Sequence, residues 1–478
     1  MKILLTHGYF LFEDPKEREI MRPYPPLGML YVAAWLEQNG WENTVFDSTF
    51  STPDSLFDYL TTHKPDYLLI YVNLMTRLNV LRLMEFVRSR EELSHTKIVL
   101  GGPEVRYHAG NFLDHHADYL VVGEGEETAC ELITALEAAD TTRIPHIPGL
   151  VYKDETGNAV FTPERTKIRD LDSLPFPARD KIDLHQYLKT WETHHGKSTL
   201  SVSTMRGCPY TCKWCSRAVY GLSYRRRSPE KVTEELLFLK NHYNPGAVWF
   251  VDDVFTISHK WLTAFRDEVQ KRDAVIPFEC ITRADRMNET VIQLLKESGC
   301  FRVWIGAESG SQQVIDRMDR RVDVNQVRDM IILARKYGLE AGTFIMLGYP
   351  GETETDIEET IHHLKTSCPD HFTITVAYPI RGTELYQEVE TLQTETHEWT
   401  TSTDRDIDFV RTYPKKYYKW AVRRVVNEVN FHKIRLLHPA YSLAGAGMKT
   451  RSVVARFFMW WIRTRSGERT NPLTYDQT

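Results

Sequence analysis

The sequence predicts an α/β protein with a doubly wound parallel sheet, then a partial (βα)6 barrel, then a helical C-terminal region. Strand-like and helix-like segments alternate over 1–140 and again over 197–385, and such alternation returns each strand parallel to the last. A proline-rich interval over 141–196 reads as an ordered linker. Beyond about Tyr386 the alternation fades, which sets off 386–478 as a basic, aromatic, helical region.

Lys2–Thr6 is a short apolar run and reads as the first strand. After Pro25, Met29–Gln38 places Leu30, Ala33, Ala34 and Glu37 at helical spacing, and Asn39-Gly40 ends it. Asn43–Phe46 is a second strand, and Tyr67–Val72 a third after the turn signal Lys64-Pro65-Asp66. Arg77–Arg90 is helical, Lys97–Leu100 and Tyr119–Val122 are strands, and Glu127–Ala138 is a closing helix. Ligands of such sheets bind beyond the carboxyl ends of the strands. The candidate residues there are Pro26, Leu27 and Gly28; Asn73 and Thr76; Gly101, Gly102 and Pro103; and Gly123, Glu124, Gly125 and Glu126. Glycines at such ends let backbone approach a bulky ligand, although each stretch alone also reads as turn chemistry. Gly123–Glu126 is not a dinucleotide fingerprint, because the third glycine is missing and its acids would repel a pyrophosphate.

In the linker, Lys153–Asn158 is hairpin-like and Leu174-Pro175-Phe176-Pro177 pins the chain to a neighbouring surface. The alternation then resumes with Thr199–Met205 as a strand and Ser228–Tyr243 as a helix, capped by Ser228 with Pro229 at its first position. Ala247–Val251, Phe278–Thr282, Arg302–Ala307, Gly342–Leu347 and Phe372–Ala377 are further strands, separated by helices starting near Lys260, Glu289, Asn325 and Thr355. Six such units predict a partial barrel with its chemistry where strands end and loops begin.

One stretch at that face stands apart, Met205-Arg206-Gly207-Cys208-Pro209-Tyr210-Thr211-Cys212-Lys213-Trp214-Cys215. Three thiols on one short loop suit a metal cluster with a fourth position left for a cofactor or substrate, since zinc and iron–sulfur centres normally take four ligands. The other four cysteines, Cys130, Cys280, Cys300 and Cys368, are scattered and read as core thiols. His194-His195 reads as loop surface, and Arg225-Arg226-Arg227 as a solvated basic patch.

A formal net charge of −6 gives no general reason to expect a nucleic-acid partner. Seven cysteines, an odd count with three clustered, do not form a secreted disulfide framework and fit a cytoplasmic setting. The first residues lack the apolar core of a signal peptide, and no apolar run reaches the length of a membrane span. Near the end, Arg451, Arg456, Arg463 and Arg465 mix with Phe457, Phe458, Trp460 and Trp461. Such a helix docks on the protein itself or lies on an anionic membrane, a peripheral contact consistent with a lipid-like substrate. Ser466–Thr478 reads as a loose tail.

The loop Cys208-x-x-x-Cys212-x-x-Cys215 on the first strand of a partial barrel resembles the signature of the radical S-adenosylmethionine (SAM) enzymes. The resemblance implies that these cysteines hold three irons of a 4Fe–4S cluster, that SAM takes the fourth, and that an electron from a flavodoxin- or ferredoxin-type donor cleaves SAM to a 5′-deoxyadenosyl radical. Trp214 matches a position near the adenine, though it also suits packing beneath the loop. The strand-end stretches Phe250–Phe255, Cys280–Asp285, Ile305–Ser311 and Met346–Thr353 resemble the family's, which marks Asp252, Asp253, Arg283, Glu308, Ser309 and Leu347 as SAM-binding candidates. Of these, Glu308 is of a type to meet the ammonium, Arg283 the carboxylate and Ser309 the ribose.

A doubly wound, Rossmann-like domain before such a barrel resembles the cobalamin-binding subclass, which includes methyltransferases, ring-rearranging enzymes and the oxygen-independent porphyrin cyclase. Asp-x-His-x-x-Gly, the motif of histidine-ligated cobalamin, is absent: His115 and His116 follow Asp114, but Gly123 is too distant. The resemblance therefore implies cobalamin held without a histidine ligand, by the strand-end loops. It implies methylation of an unactivated carbon of a hydrophobic small molecule first, and cyclisation or rearrangement as the alternative. Two other readings stay open, a radical enzyme whose sheet domain only docks and a structural zinc loop in a binding protein.

Overall fold

A computed structural model describes residues 1–395, 397–437 and 443–466. The tail expected after Ser466 lies outside the described residues. Contacts divide the chain into two compact units, one of Met1–Pro209, Arg217–Trp249 and Glu398–Thr403, the other of Tyr210–Ser216, Phe250–His397 and the chain from Asp404.

The first unit holds β1 (Ile3–His7), β2 (Asn43–Phe46), β3 (Tyr67–Tyr71), β4 (Lys97–Gly101) and β5 (Tyr119–Val121), all parallel, in the order β2-β1-β3-β4-β5. Five helices accompany them: α1 (Pro15–Ile20), α2 (Leu27–Gln38), α3 (Pro53–His63), α4 (Arg77–Arg88) and α5 (Ala109–Asp114); a sixth, α6 (Gly125–Glu137), follows β5. Side chains alternate along the strands, so Leu68 and Ile70 face α3, α4 and α5 while Tyr67 and Leu69 face α2 and α6. Both faces are thus buried, and each fully buried Leu or Ile contributes about 1.5–3 kcal/mol. The order reverses at β1 and β3, the switch point where such sheets take their ligands.

The predicted linker is more structured than its prolines suggest. Its hairpin, β6 (Leu150–Lys153) and β7 (Ala159–Phe161), joins the sheet antiparallel to β5. A helix, α7 (Leu184–His195), follows, capped by Asp183 and ended by Gly196 at φ 73°. His194 and His195 therefore stand on the last turn of a helix rather than a loop, and His195 Nε2 bonds the carbonyls of Ile20 and Met21 at 3.1 and 3.0 Å. Trp399, from the segment 398–403, packs edge-on against Phe112 at 4.9 Å and tilted against His115 at 5.3 Å.

Past β8 (Thr199–Val202), a two-stranded ribbon pairs β9 (Met205–Arg206) with β10 (Arg225–Arg226). Then come α8 (Pro229–His242), β11 (Ala247–Phe250), α9 (His259–Lys271), β12 (Phe278–Thr282), α10 (Glu289–Glu297), β13 (Cys300–Glu308), α11 (Gln312–Arg317), α12 (Val324–Lys336), β14 (Glu340–Leu347), α13 (Glu354–Ser367), β15 (His371–Val376) and α14 (Glu384–Val389). The second sheet has the strand order β15-β14-β13-β12-β11-β8, the six strands of a half-barrel. In the second unit β12, β13, β14 and β15 run parallel, with a register shift between Gly306 and Glu308. Side-chain caps start the helices, Ser228, Ser258, Asn288, Asp323 and Thr353 each accepting a backbone N–H, worth about 1 kcal/mol apiece.

Two long helices complete the second unit, α15 (Lys415–Leu437) and α16 (Leu443–Ser466). They meet through stacked Trp420 and Phe458 at 4.3 Å and through buried Ala455 and Met459. Glu428 joins them to α13, accepting from Lys365 Nζ at 2.7 Å, Lys449 Nζ at 2.7 Å and Ser452 Oγ at 2.6 Å. One face of the basic C-terminal helix therefore docks on the protein. Among the described residues no helix is long and apolar enough to cross a membrane.

Candidate functional site

The cysteine loop begins at Gly207, whose φ of 82° is open to glycine, and where a Cβ would lie 2.2 Å from Ser223 Oγ. Its second half is held within the second unit. Lys213 N donates to Met318 O at 3.1 Å, Leu385 N donates to Lys213 O at 2.9 Å, and Thr211 Oγ1 donates to Asp319. Trp214 packs against Val314, Met318, Tyr349, Leu385, Val389 and Phe409, so its ring does serve as packing beneath the loop. Of the loop cysteines, Cys212 is buried, Cys208 half-buried and Cys215 exposed. Cys280 and Cys300 are core thiols as predicted, whereas Cys130 and Cys368 are only half-buried and Cys368 caps α13 at φ 45°. The loop passes from the first unit to the second between Pro209 and Tyr210, and within neither unit do three described His, Cys, Asp or Glu side chains form a ready metal group.

Cys212 Sγ sits between two buried guanidiniums, Arg320 Nη1 at 3.6 Å and Arg283 Nη1 at 3.9 Å. Arg283 is fully engaged: Nη2 donates to Arg320 O at 2.9 Å, Nε to Asp285 at 2.8 Å, and its plane lies 3.7 Å over the Tyr210 ring. Arg320 Nη2 donates to Gly306 O at 3.1 Å, while its Nε is buried with no partner among the described residues. Glu308 Oε1 is 3.8 Å from Arg320 Nη2 and, among the described residues, accepts no hydrogen bond. Its backbone stands at φ 64°, a left-handed conformation that costs a non-glycine residue on the order of 1–2 kcal/mol. Burial raises the Glu308 carboxyl above its usual range, and the charges of Arg320 and Arg283 pull it back. Gly306 makes the arrangement possible, since a Cβ there would lie 2.3 Å from Arg320 Nη2 and 2.9 Å from Glu308 Oε1.

This donor set fits the groups that the sequence implies. Two buried guanidiniums bring positive charge to within 3.9 Å of the Cys212 sulfur, and a carboxylate with no hydrogen bond among the described residues is suited to an ammonium. The remaining SAM candidates are differently placed. Asp252 is buried and Asp253 exposed at the end of β11. Ser309 Oγ meets Thr360 Oγ1 at 3.2 Å and accepts Ser311 N at 3.1 Å, so its hydroxyl ties β13 to α13. Leu347 is fully buried at the end of β14, with its carbonyl bonded to Ala377 N at 2.8 Å.

At the strand ends of the first unit, Gly28 and Gly102 flank the same ring. A Cβ at Gly102, where φ is 113°, would lie 2.4 Å from Val72 O and 3.1 Å from the Tyr71 ring, and one at Gly28 would lie 3.9 Å from that ring. Burial pushes the Tyr71 hydroxyl up to about 12. Pro26 caps α2, Leu27 and Gly28 form its first turn, and Pro103 follows half-buried after Gly101 and Gly102. Asn73 and Thr76 tie their own turn, Asn73 Oδ1 accepting Met75 N at 2.9 Å and Thr76 Oγ1 accepting Asn73 N at 2.9 Å. Gly123 has φ 96°, and Gly125 starts α6.

Glu124 and Glu126 are buried and committed to Arg206, which donates to Glu124 Oε1 at 2.8 Å and to Glu126. Glu124 Oε2 further accepts from Arg225 Nη1 at 2.7 Å and Ile168 N at 2.9 Å. Arg206 also lies over the rings of Tyr31 and Tyr220, at 5.2 and 5.4 Å. The predicted solvated patch Arg225–Arg227 is instead structural. Arg226 Nε donates to Thr204 Oγ1 at 3.0 Å, and buried Arg227 pairs with Glu235, which also accepts from Arg179 Nη2 at 2.7 Å. Burial opposes the charge on Glu235, yet Arg227 and Arg179 hold its carboxyl below the usual range. Sequence reasoning missed Arg320 and the pairing of Arg206 with Glu124 and Glu126, neither of which carries a local pattern.

Residues 202–364 match the Radical SAM superfamily and residues 19–133 the B12 binding domain. An uncharacterized methyltransferase of Pyrococcus horikoshii is 30% identical over 399 residues, which cover 81% of this chain and 83% of that protein. The anaerobic magnesium-protoporphyrin IX monomethyl ester cyclase of Rubrivivax gelatinosus is 25% identical, over 81% of this chain and 70% of its own length. In fold the chain is similar to the radical SAM methyltransferase TsrM of Kitasatospora setae, solved with cobalamin and a [4Fe-4S] cluster, at a TM-score of 0.70 and 15% identity over 96% of this chain and 100% of that one. A strained Glu308 beside a guanidinium-flanked cysteine thus stands in a chain that belongs to the B12-binding-domain radical SAM enzymes.

Proposed function

We propose that the protein is a cobalamin-dependent methylase acting on an unactivated carbon of a hydrophobic small molecule. The observation that carries this reading is the buried Cys212 thiol between Arg283 and Arg320, with Glu308 beside them, in a chain that also has a B12 binding domain. When bound, the cluster with SAM supplies a radical able to take hydrogen from an unactivated C–H bond, and cobalamin supplies the methyl group.

The protein's own part is binding, orientation and charge. Cys208, Cys212 and Cys215 supply the thiolates. Glu308 would receive the ammonium of SAM, and Arg320, whose buried Nε has no partner among the described residues, is better placed than the fully engaged Arg283 to receive the carboxylate. Trp214 and Leu347 are assigned to the adenine side, Ser309 to positioning through Thr360, and Asp252 and Asp253 to the polar rim at the end of β11. Backbone at Gly28, Gly101, Gly102 and Gly123, not the carboxylates of Glu124 and Glu126, faces cobalamin, which is held without a histidine ligand. The absence of Asp-x-His-x-x-Gly from the sequence supports that state. We assign 1–140 to cobalamin, 141–196 to the connection, 197–385 to radical chemistry and 386–478 to a supporting helical region, in a cytoplasmic enzyme reduced by a flavodoxin- or ferredoxin-type donor.

Cyclisation is the second reading, favoured by the likeness to the porphyrin-ester cyclase. The test is anoxic reconstitution of the full chain with iron, sulfide and cobalamin, followed by product analysis. With SAM and dithionite then supplied, a methylase yields 5′-deoxyadenosine and S-adenosylhomocysteine together; 5′-deoxyadenosine without S-adenosylhomocysteine counts against methylation, and neither product defeats both readings.

A further inference from the structure

The helix α16 has two apolar faces, and the described residues cover only one of them. Ser452, Ala455 and Met459, three and four apart, are buried toward the rest of the second unit. On the opposite side Val453, Val454, Phe457, Trp460 and Trp461 recur at the same helical spacing and are 57, 42, 55, 49 and 39% exposed. A continuous stripe of two tryptophans, a phenylalanine and two valines is too large to be scattered surface apolar residues.

Charge on the same helix is of one sign. From Leu443 to Ser466 there are five cations, Lys449, Arg451, Arg456, Arg463 and Arg465, and no Asp or Glu. Lys449 and Arg463 are tied to Glu428 and Glu354. Arg451, Arg456 and Arg465 are exposed, and at 100° per residue they border the aromatic stripe on both sides, Arg456 on one and Arg451 and Arg465 on the other. The Arg465 guanidinium lies 4.3 Å over the Trp461 ring. A groove on a protein partner asks for shape, whereas a flat surface that is anionic at its face and apolar beneath asks for this composition: indole rings at the boundary and arginines reaching headgroup phosphates.

We propose that α16 lies flat on an anionic lipid bilayer, with Phe457, Trp460 and Trp461 inserted at headgroup depth and Arg451, Arg456 and Arg465 on lipid phosphate. The surface is separate from the cysteine site and does not depend on the reaction assigned there.

The test is co-sedimentation of the full-length protein with vesicles of phosphatidylcholine alone and of phosphatidylcholine and phosphatidylglycerol in equal parts, with tryptophan emission as a second readout. Binding to the mixed vesicles is expected, with blue-shifted emission, weakening as salt rises. The F457S/W460S/W461S variant is expected to partition about tenfold more weakly, and R451Q/R456Q/R465Q to lose the preference for phosphatidylglycerol, with thermal melting unchanged in both because the altered side chains are exposed. Absence of vesicle binding, or equal binding by the aromatic variant, overturns the proposal. So does a concentration-dependent dimer that the aromatic variant abolishes, which would make the face an interface between copies.

Discussion

Arg206, two residues before the first loop cysteine, donates to Glu124 Oε1 at 2.8 Å across 82 positions of sequence. Burial opposes its charge, but the carboxylate of Glu126 and the Tyr220 hydroxyl hold the guanidinium well above its ordinary range. Removing one partner of such a buried set strands the others. Arg206→Met is expected to cost about 3–5 kcal/mol of unfolding free energy by denaturant titration, and R206M/E126Q to recover a part of it, since Glu124 keeps Arg225.

At Cys212 the guanidiniums act on whatever electron density the sulfur carries. Arg320→Gln removes an N–H and a positive charge 3.6 Å from Sγ. The reconstituted cluster is expected to become harder to reduce by roughly 40 mV, the one-electron equivalent of about 1 kcal/mol, measured by spectroscopic potentiometry. An unchanged potential would remove Arg320 from the cluster's surroundings. Cys212→Ala is expected to abolish both cluster absorbance and turnover.

Gly306→Ala separates fold from site. Its new Cβ meets the flexible end of Arg320 and the Glu308 carboxylate rather than backbone. The melting temperature is expected to move little, while 5′-deoxyadenosine formation falls at least about tenfold, the equivalent of 1.4 kcal/mol in transition-state stabilisation. Gly310→Ala is the contrast. There a Cβ would lie 2.4 Å from Thr360 Cα, so stability itself is expected to drop by about 1–3 kcal/mol.

Glu352 sets a pH dependence. Its carboxyl is fully buried, Oε2 accepts Gly348 N at 2.6 Å, Oε1 has no partner among the described residues, and burial raises it to about 8. The folded protein holds this proton where the unfolded chain has lost it. The contribution to stability is therefore fully present below about 4.5 and is lost as pH rises through about 8. Denaturation midpoints measured from pH 5 to 9 are expected to fall less steeply in Glu352→Gln than in the parent.

Much of the fold was legible because its strands are buried on both faces. A run such as Tyr67-Leu68-Leu69-Ile70 has no amphipathic alternative, and Asn43–Phe46 and Phe278–Thr282 begin and end where apolar periodicity places them. What was missed had competing signals. The helix α3 opens with Thr52 and Pro53, a sound start, but only Leu56 and Leu60 of its residues are buried. The helix α7 sits in a stretch whose prolines read as linker.

At the site, three cysteines at fixed spacing announce themselves, and Glu308 closes a strand of recognisable composition. Arg320 does not, because it lies beyond α11 and meets Cys212 only through the turn of the chain. Arg225–Arg227 misled for a related reason. Sequence shows three adjacent charges and not the acids, 101 residues back or 8 ahead, that neutralise two of them.

The Arg206 pairing also fixes where this chain can be cut and rejoined. A chimera that exchanged the sheet domain for a relative's at the conventional seam, ahead of Thr199, would keep Arg206 and discard both of its acids. The recipient would inherit an unneutralised guanidinium in its interior, two residues from the first cysteine of the loop. A workable transplant has to carry Glu124, Glu126 and Arg206 as one heritable cassette, so the sheet is less a detachable module than a part of the motif written elsewhere in the gene.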